Sequence, residues 1–428
     1  MIVHPGFWTL TFLVVANMIG AGVFTTSGFS IQSLGSPELV VWAWIFAGLI
    51  AMAGAFSYGQ LVKAMPESGG EYLFLSRAAH PLLGFIAGWV SLIAGFSGAI
   101  ALAATTLEEY ATPVRPDWLP AGLVAVLSIV LAGAFHGLRP QVGAFLQNAI
   151  VLLKLLLLLS IFAFAVSKLN ELTSNGDLDL SSQPTGLALA SAFAGSLVWI
   201  SLSYSGFNAA VYLAGEVDDM KRVVPRSLLV ATGAVTVFYV LLNAVFVYAN
   251  PVDAIAGQTD VAAITAKSLG GWAFEAFVRW TIVACLLTSV FSMMMAAPRV
   301  YAKMAEDGLL PKALRFEHDQ EESPRTATLL QVGLAVLLVL VSTLQGLLAY
   351  LGLTLSLCAA CSVACLFLPA VRKSRRWHWT DLIPVFYLIS TLVSAVMLTV
   401  SDPRQLFGTV VTFSAGAAAY FLIAQRSK

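Results

Sequence analysis

Two apolar stretches in this chain, each long enough to cross a bilayer, are interrupted at mid-depth by glycine. The first carries Met18-Ile19-Gly20-Ala21-Gly22-Val23 and the sixth carries Ser203-Tyr204-Ser205-Gly206-Phe207-Asn208. An unpaired backbone amide is expensive in hydrocarbon, so a helix unwinds inside a membrane only where protein or a water-lined cavity satisfies the freed groups. Such breaks therefore mark places where something other than lipid meets the backbone. The rest of the chain leaves no soluble alternative. Of its 428 residues 59% are hydrophobic and only 11% are charged, and the mean hydropathy is +0.85, far outside the range of soluble domains.

Apolar runs able to span about 30 Å of hydrocarbon fall at 7–30, 37–61, 82–109, 118–135, 141–167, 186–215, 226–249, 272–301, 327–345, 347–370, 381–400 and 406–424. These predict an all-α membrane protein of twelve transmembrane helices in one polytopic domain, 1–428. The first run opens directly after Pro5, without a basic leader or a small-residue cleavage site, and is expected to stay as a helix. Lysine and arginine set the orientation. With the N-terminus inside, 17 of the 23 fall on the cytoplasmic side, among them Lys63, Arg222, Arg299, Arg372 and Arg376. Five fall outside (Arg115, Lys168, Lys267, Arg279 and Arg404), and Lys154 is left within a span. Both termini are thus expected in the cytoplasm, with the chain in the cell (inner) membrane. The zero net charge conceals this asymmetry, and no basic patch suited to nucleic acid exists. Cys285, Cys358, Cys361 and Cys365 all lie in predicted spans and read as small packing residues, without a disulfide, metal or cofactor role.

The positions of the two breaks divide the chain. Residues 1–167 hold five spans and 186–372 hold five more, and an odd number of crossings makes the second set enter from the opposite face. Spans at 381–424 lie outside the pair. Paired interruptions at corresponding places are the pattern of an inverted-repeat secondary transporter with its substrate near the midplane. At the first break the helix beginning near Val23 points its free amides toward Gly20, Ala21 and Gly22, and such a terminus carries roughly half a positive charge that suits a carboxylate. At the second, carbonyls near Leu202, Ser203 and Ser205 suit an ammonium group. Together they describe a zwitterion. Lys154 lies roughly 20 Å along its helix from Gln141, too deep to reach water easily. Glu108 and Glu109 diverge around a helix axis and read as solvated. Glu67 and Glu71 are one turn apart and read either as a conformational lock or as surface polarity.

Asn17-Met18-Ile19-Gly20-Ala21-Gly22-Val23-Phe24 resembles the glycine-rich first-helix motif of the amino acid-polyamine-organocation (APC) superfamily, with Ala21 where many members carry Ser or Thr. Ser57-Tyr58-Gly59-Gln60-Leu61, then Pro66-Glu67-Ser68-Gly69-Gly70-Glu71-Tyr72 and Arg77, is similar to that family's loop between helices 2 and 3. Tyr204 to Asn208, followed by Glu216, Lys221, Arg222, Pro225 and Arg226, resembles its sixth helix and the loop after it. Arg299-Val300-Tyr301 and Asp307 to Lys312 resemble its helix 8 exit. The resemblance, to the LAT-like amino acid permease branch, implies a LeuT-like 5+5 inverted repeat with broken helices 1 and 6. It implies substrate contacts from Met18, Gly20, Ala21 and Gly22 and from Leu202, Ser203, Ser205, Gly206 and Phe207. Gly95 to Gly98, Ser289 and Ser356 would shape a side-chain pocket. Lys154 would face helices 1 and 8, either as a fixed cation tethering Gly20 carbonyls or as a proton carrier, and with Asn208 and Ser289 would influence coupling. Leu202 stands where cation-selective members have an aromatic and Asn208 where many have a carboxylate, so a neutral L-amino acid is the expected cargo.

The expected activity is secondary or facilitative amino acid transport by alternating access, as exchange or uniport, with the lipid bilayer and the substrate as the only partners. A proton-coupled symporter or exporter and a non-transporting amino acid sensor are the rival readings. An enzyme is disfavoured, since no His-Glu-x-x-His, paired catalytic carboxylates or serine with a base falls in the spans.

Overall fold

The protein is described here from a computed structural model covering residues 6–66, 69–114, 116, 118–138, 156, 159–164, 167, 184–306, 310–314, 325–372 and 377–426. Regular structure among the described residues is helical: α1 (Phe7–Met18), α2 (Gly22–Leu34), α3 (Pro37–Ala64), α4 (Gly70–Ala78) and α5 (Pro81–Ala111), with a π-helical segment at Ser91–Gly98 inside α5. Then come α6 (Leu123–Leu138), α7 (Gly186–Tyr204), α8 (Met220–Tyr248), α9 (Val261–Glu306), α10 (Arg325–Val341), α11 (Leu344–Ala364), α12 (Leu382–Ser401) and α13 (Arg404–Arg426). Eight of the helical segments are singly long and apolar enough to cross a membrane, and α1 with α2, bent by 45° at their junction, make a ninth crossing. Leu123–Phe135 and α10 are shorter apolar helices. The chain is thus an all-α, multi-pass membrane protein. The span expected at 141–167, with Lys154, lies largely outside the described residues, as do Glu67 and Ser68.

Local chemistry fixes several boundaries. α3 starts where Ser36 accepts from the Leu39 N–H at 3.4 Å and Pro37 takes the first helical position, where its missing N–H is no loss. α9 begins eleven residues before the predicted 272, because Val261, Ala262, Ala263 and Ala266 are fully buried. Lys267 and the Gly270-Gly271 pair hide that apolar face from a hydropathy reading, and Gly271, at φ 72°, bends the helix there. The sixth run, expected at 186–215, stops being α-helical at Tyr204 and continues as a 3₁₀ segment over Ala209–Glu216.

Helices pack by close approach, since lipid tails offer no hydrophobic drive between apolar surfaces. In the broad α3–α8 contact, a β-carbon on Gly48 would sit 2.3 Å from the Thr236 methyl. α11 lies centrally, with 67% of its membrane window buried, whereas α13, at 17%, is peripheral. Apolar side chains exposed on the outside, such as Leu340, Val400 and Phe407, face acyl chains.

Two acidic and basic groups behave differently from their sequence reading. Glu108 is buried rather than solvated: its two oxygens accept from Gly122 N–H at 2.7 Å and Ala125 N–H at 2.9 Å, capping the start of α6. Glu109 does point elsewhere, accepting from Thr259 at 3.2 Å. Arg279 is also buried, with Asp260 and Glu275 each at 2.8 Å and the Tyr110 carbonyl at 3.2 Å, so its charge is compensated within the protein.

Candidate functional site: the paired helix breaks

The first break is a short one. Ile19 leaves helical geometry (φ −75°, ψ 92°) while its N–H still donates to the Val15 carbonyl, and α2 restarts at Gly22. The Met18 carbonyl freed by the break accepts from the Tyr239 hydroxyl of α8 at 2.8 Å. Thr25 and Thr26 donate back to the carbonyls of Ala21 and Gly22 at 3.3 and 2.7 Å. No side chain caps the N-terminus of α2. The acceptors of the break are therefore served by protein, while its amides keep the positive end of a helix open toward Gly20.

The second break follows Tyr204. Ser205 is extended (φ −59°, ψ 147°), and its N–H turns back to the Leu202 carbonyl at 3.0 Å, so that carbonyl is partnered locally rather than left for a ligand. Gly206 has φ +96°, a conformation that side chains rarely adopt. A β-carbon there would lie 2.8 Å from the Asn17 carbonyl at the end of α1. The two breaks also meet one turn away, where a β-carbon on Gly22 would be 2.4 Å from the Ser203 Oγ. The pairs Asn17–Gly206 and Gly22–Ser203 show the chains crossing in opposite directions with both interruptions at one level. The Ser203 hydroxyl is 3% exposed and has no hydrogen-bond partner. A buried, unsatisfied hydroxyl costs about 1–3 kcal/mol unless a ligand or water completes it.

Met18, Ala21, Gly22, Leu202, Ser203 and Phe207 are buried at this crossing, and Gly20, Ser205, Gly206 and Asn208 are partly accessible. Ser289 is buried on α9, where its hydroxyl donates to the Cys285 carbonyl of its own helix at 3.0 Å. Ser356 on α11 pairs with Ser201 on α7 at 3.1 Å. Ser201 and Ser356, but not Ser289, line a cleft of about 530 Å³ beside the second break, together with Tyr204, Phe207, Tyr387 and Thr391. The Gly95–Gly98 stretch is the end of the π-helical segment. There Ser97 donates to the Leu92 carbonyl five residues back at 2.8 Å, and Tyr301 reaches that carbonyl at 3.2 Å and Gln331 at 2.5 Å. π-bulges of this kind often sit at functional sites.

Sequence reasoning undervalued Glu71. Its carboxylate is buried, accepts from Tyr58 at 2.9 Å and Tyr212 at 2.5 Å, and is also bonded by the Asn208 amide. The first turn of α4 is thereby clamped to the segment that follows the second break, with Phe207 edge-on to Tyr58 (centroids 5.3 Å apart). The Tyr58, Glu71, Asn208 and Tyr212 spacings in the chain give no sign of convergence. The hints in the sequence were the one-turn spacing of Glu67 and Glu71 and their place in the glycine-containing loop motif.

A family model described as amino acid permease matches residues 6–424. Among individual proteins, the chain is 23% identical over 430 residues to Asc-type amino acid transporter 1 of Homo sapiens, covering 96% of this chain and 80% of that one. It is 24% identical over 433 residues to large neutral amino acids transporter small subunit 2 of Oryctolagus cuniculus, covering 96% and 78%. It is also 24% identical over 340 residues to the serine/threonine exchanger SteT of Bacillus subtilis, covering 77% and 75%.

Proposed function

The chain belongs to the amino acid permease family, and from that premise we propose that it carries a small or branched neutral amino acid across the membrane by alternating access. As a permease it moves its cargo unchanged. The substrate carboxylate docks on the open amides of Gly20 to Val23, and its ammonium group takes the carbonyls and hydroxyls of Ser203 and Ser205. The side chain extends toward the Ser201–Ser356 side of α7 and α11, past Leu202 and Phe207. No carboxylate among the described lining residues of that cleft is placed to hold a second cation, which favours neutral cargo. One relative named for large neutral amino acids and one named as a serine/threonine exchanger support the same choice.

The observation that carries this reading is the unpartnered Ser203 hydroxyl facing the uncapped start of α2. That hydroxyl lies against Gly22 beside the interruption of the first run and supports a polar ligand contact there. Around it we infer the wider architecture: twelve crossings, with α1 and α2 as broken helix 1 and α7 with the 3₁₀ segment as broken helix 6. The two five-helix repeats run over 1–167 and 186–372, and both termini lie on the cytoplasmic side of the cell (inner) membrane. Lys154, Asn208 and Ser289 then bias coupling between inward-open and outward-open forms.

Counterflow in proteoliposomes tests the proposal. Vesicles loaded with unlabelled alanine, serine or leucine should accumulate the same labelled amino acid transiently, and external arginine or lysine should compete poorly. Absence of counterflow for every neutral amino acid, or arginine competing as well as leucine, would overturn it.

A further inference from the structure

A second concave site lies away from the helix breaks, where the end of α3 meets the chain between α11 and α12. Its volume is about 720 Å³, and its charged lining residues are Lys63, Arg372 and Asp381, two cations to one carboxylate. Arg372 approaches Asp381 at 3.5 Å, longer than the 2.7–2.9 Å typical of a strong charge-assisted hydrogen bond, and lies 4.9 Å over the Trp377 ring. Asp381 has a structural duty besides, accepting from the His378 N–H at 3.0 Å to cap the turn that starts α12. Lys63 is exposed in the last turn of α3. Phe56, Leu366, Phe367 and Pro384 make much of the remaining lining apolar, with Gln60 and Thr380 as its uncharged polar members. At the rim Phe367 stacks on Trp377, and Trp377 and Trp379 are 54% and 69% exposed, the usual arrangement of indole rings at headgroup level.

We propose that this pocket binds the phosphate-bearing headgroup of an anionic phospholipid. The two cations face the phosphate, the apolar lining takes the first methylenes of an acyl chain, and the tryptophans hold the rim at the interface. A free phosphate ion would use the cations alone and leave the apolar lining bare, so a pocket that joins cations to apolar surface selects the lipid.

Native mass spectrometry of the purified full-length chain, exchanged into phosphatidylglycerol or phosphatidylcholine with matched acyl chains, reads the site directly. Wild type should retain phosphatidylglycerol in preference to phosphatidylcholine, and Lys63→Gln and Arg372→Gln should each lower that retention about fivefold, the effect of one charge at a membrane surface. Lys63→Gln is the deciding variant, because it removes an exposed charge without touching the Arg372–Asp381 pair. Equal phosphatidylglycerol retention by wild type and Lys63→Gln overturns the proposal, as does equal retention of both lipids by wild type. Inorganic phosphate in large excess should leave the lipid adduct in place, and its displacement by phosphate alone would replace the lipid assignment with a free-anion site.

Discussion

At the scale of single residues, Gly22 carries the steric constraint that lies at the first break itself. Its Cα stands against Ser203 so closely that one added carbon collides with the hydroxyl at 2.4 Å. Gly22→Val therefore displaces the hydroxyl and covers the amides of α2, removing interactions worth about 1.5–3 kcal/mol for a charged hydrogen bond. Affinity for the transported amino acid should fall on the order of 10- to 100-fold, read as substrate-dependent stabilisation or equilibrium binding on protein that still elutes as a monodisperse peak. Unchanged affinity would remove the carboxylate from this break. The sequence exposes the glycine, because spacing within an apolar run is visible locally. It does not expose Ser203 as its neighbour, since 181 positions separate the two and only helix packing joins them.

Helices and their connections pose a different question: what keeps each break open in one shape. Tyr239 in α8 supplies the Met18 carbonyl with its missing donor at 2.8 Å. Tyr239→Phe should leave that acceptor unpaired at about 1–3 kcal/mol, visible as a lowered midpoint of thermal unfolding and as slower transport, and wild-type values for both would show the bond to be dispensable. The first turn of α4 is tied to the second break by Glu71, which gathers Tyr58, Asn208 and Tyr212. Glu71→Gln keeps the shape but replaces one accepting oxygen by a donor that the facing donors oppose. A loss of that order redistributes a two-state equilibrium roughly 5- to 150-fold. Cysteine-labelling accessibility from the two faces of the membrane should shift accordingly, and identical accessibility in wild type and Glu71→Gln would reduce the cluster to local packing. Loop carboxylates look alike in a sequence. Glu71 differs from its neighbours only because α3 and the 3₁₀ segment close over it.

For the whole molecule the relevant property is how its two accessible forms are balanced and what gradient drives the exchange between them. Lys154 falls within one of the spans expected from hydropathy, where a basic residue is a functional candidate. We expect Lys154→Ala to alter rate or sidedness of counterflow while the protein still folds. If the lysine carries a proton, wild-type flux follows a pH gradient and the variant's does not. If it is a fixed tether, both ignore the gradient and the variant is slower. Wild-type rates and sidedness in well-folded Lys154→Ala would refute both roles.

Hydropathy alone determined that this chain is a multi-pass helical membrane protein and where most of its helices run, because burial in lipid imposes long apolar runs. The resemblance of its loop motifs to permeases added the family. Tertiary structure decided everything that depends on which segments meet: that Gly22 faces Ser203 and Gly206 faces Asn17, that Glu108 caps α6, that Arg279 is neutralised by Asp260 and Glu275, and that Glu71 is a buried anchor. Polar side chains in a membrane protein are assigned by their partners, and partners distant in the chain are fixed only when the helices pack.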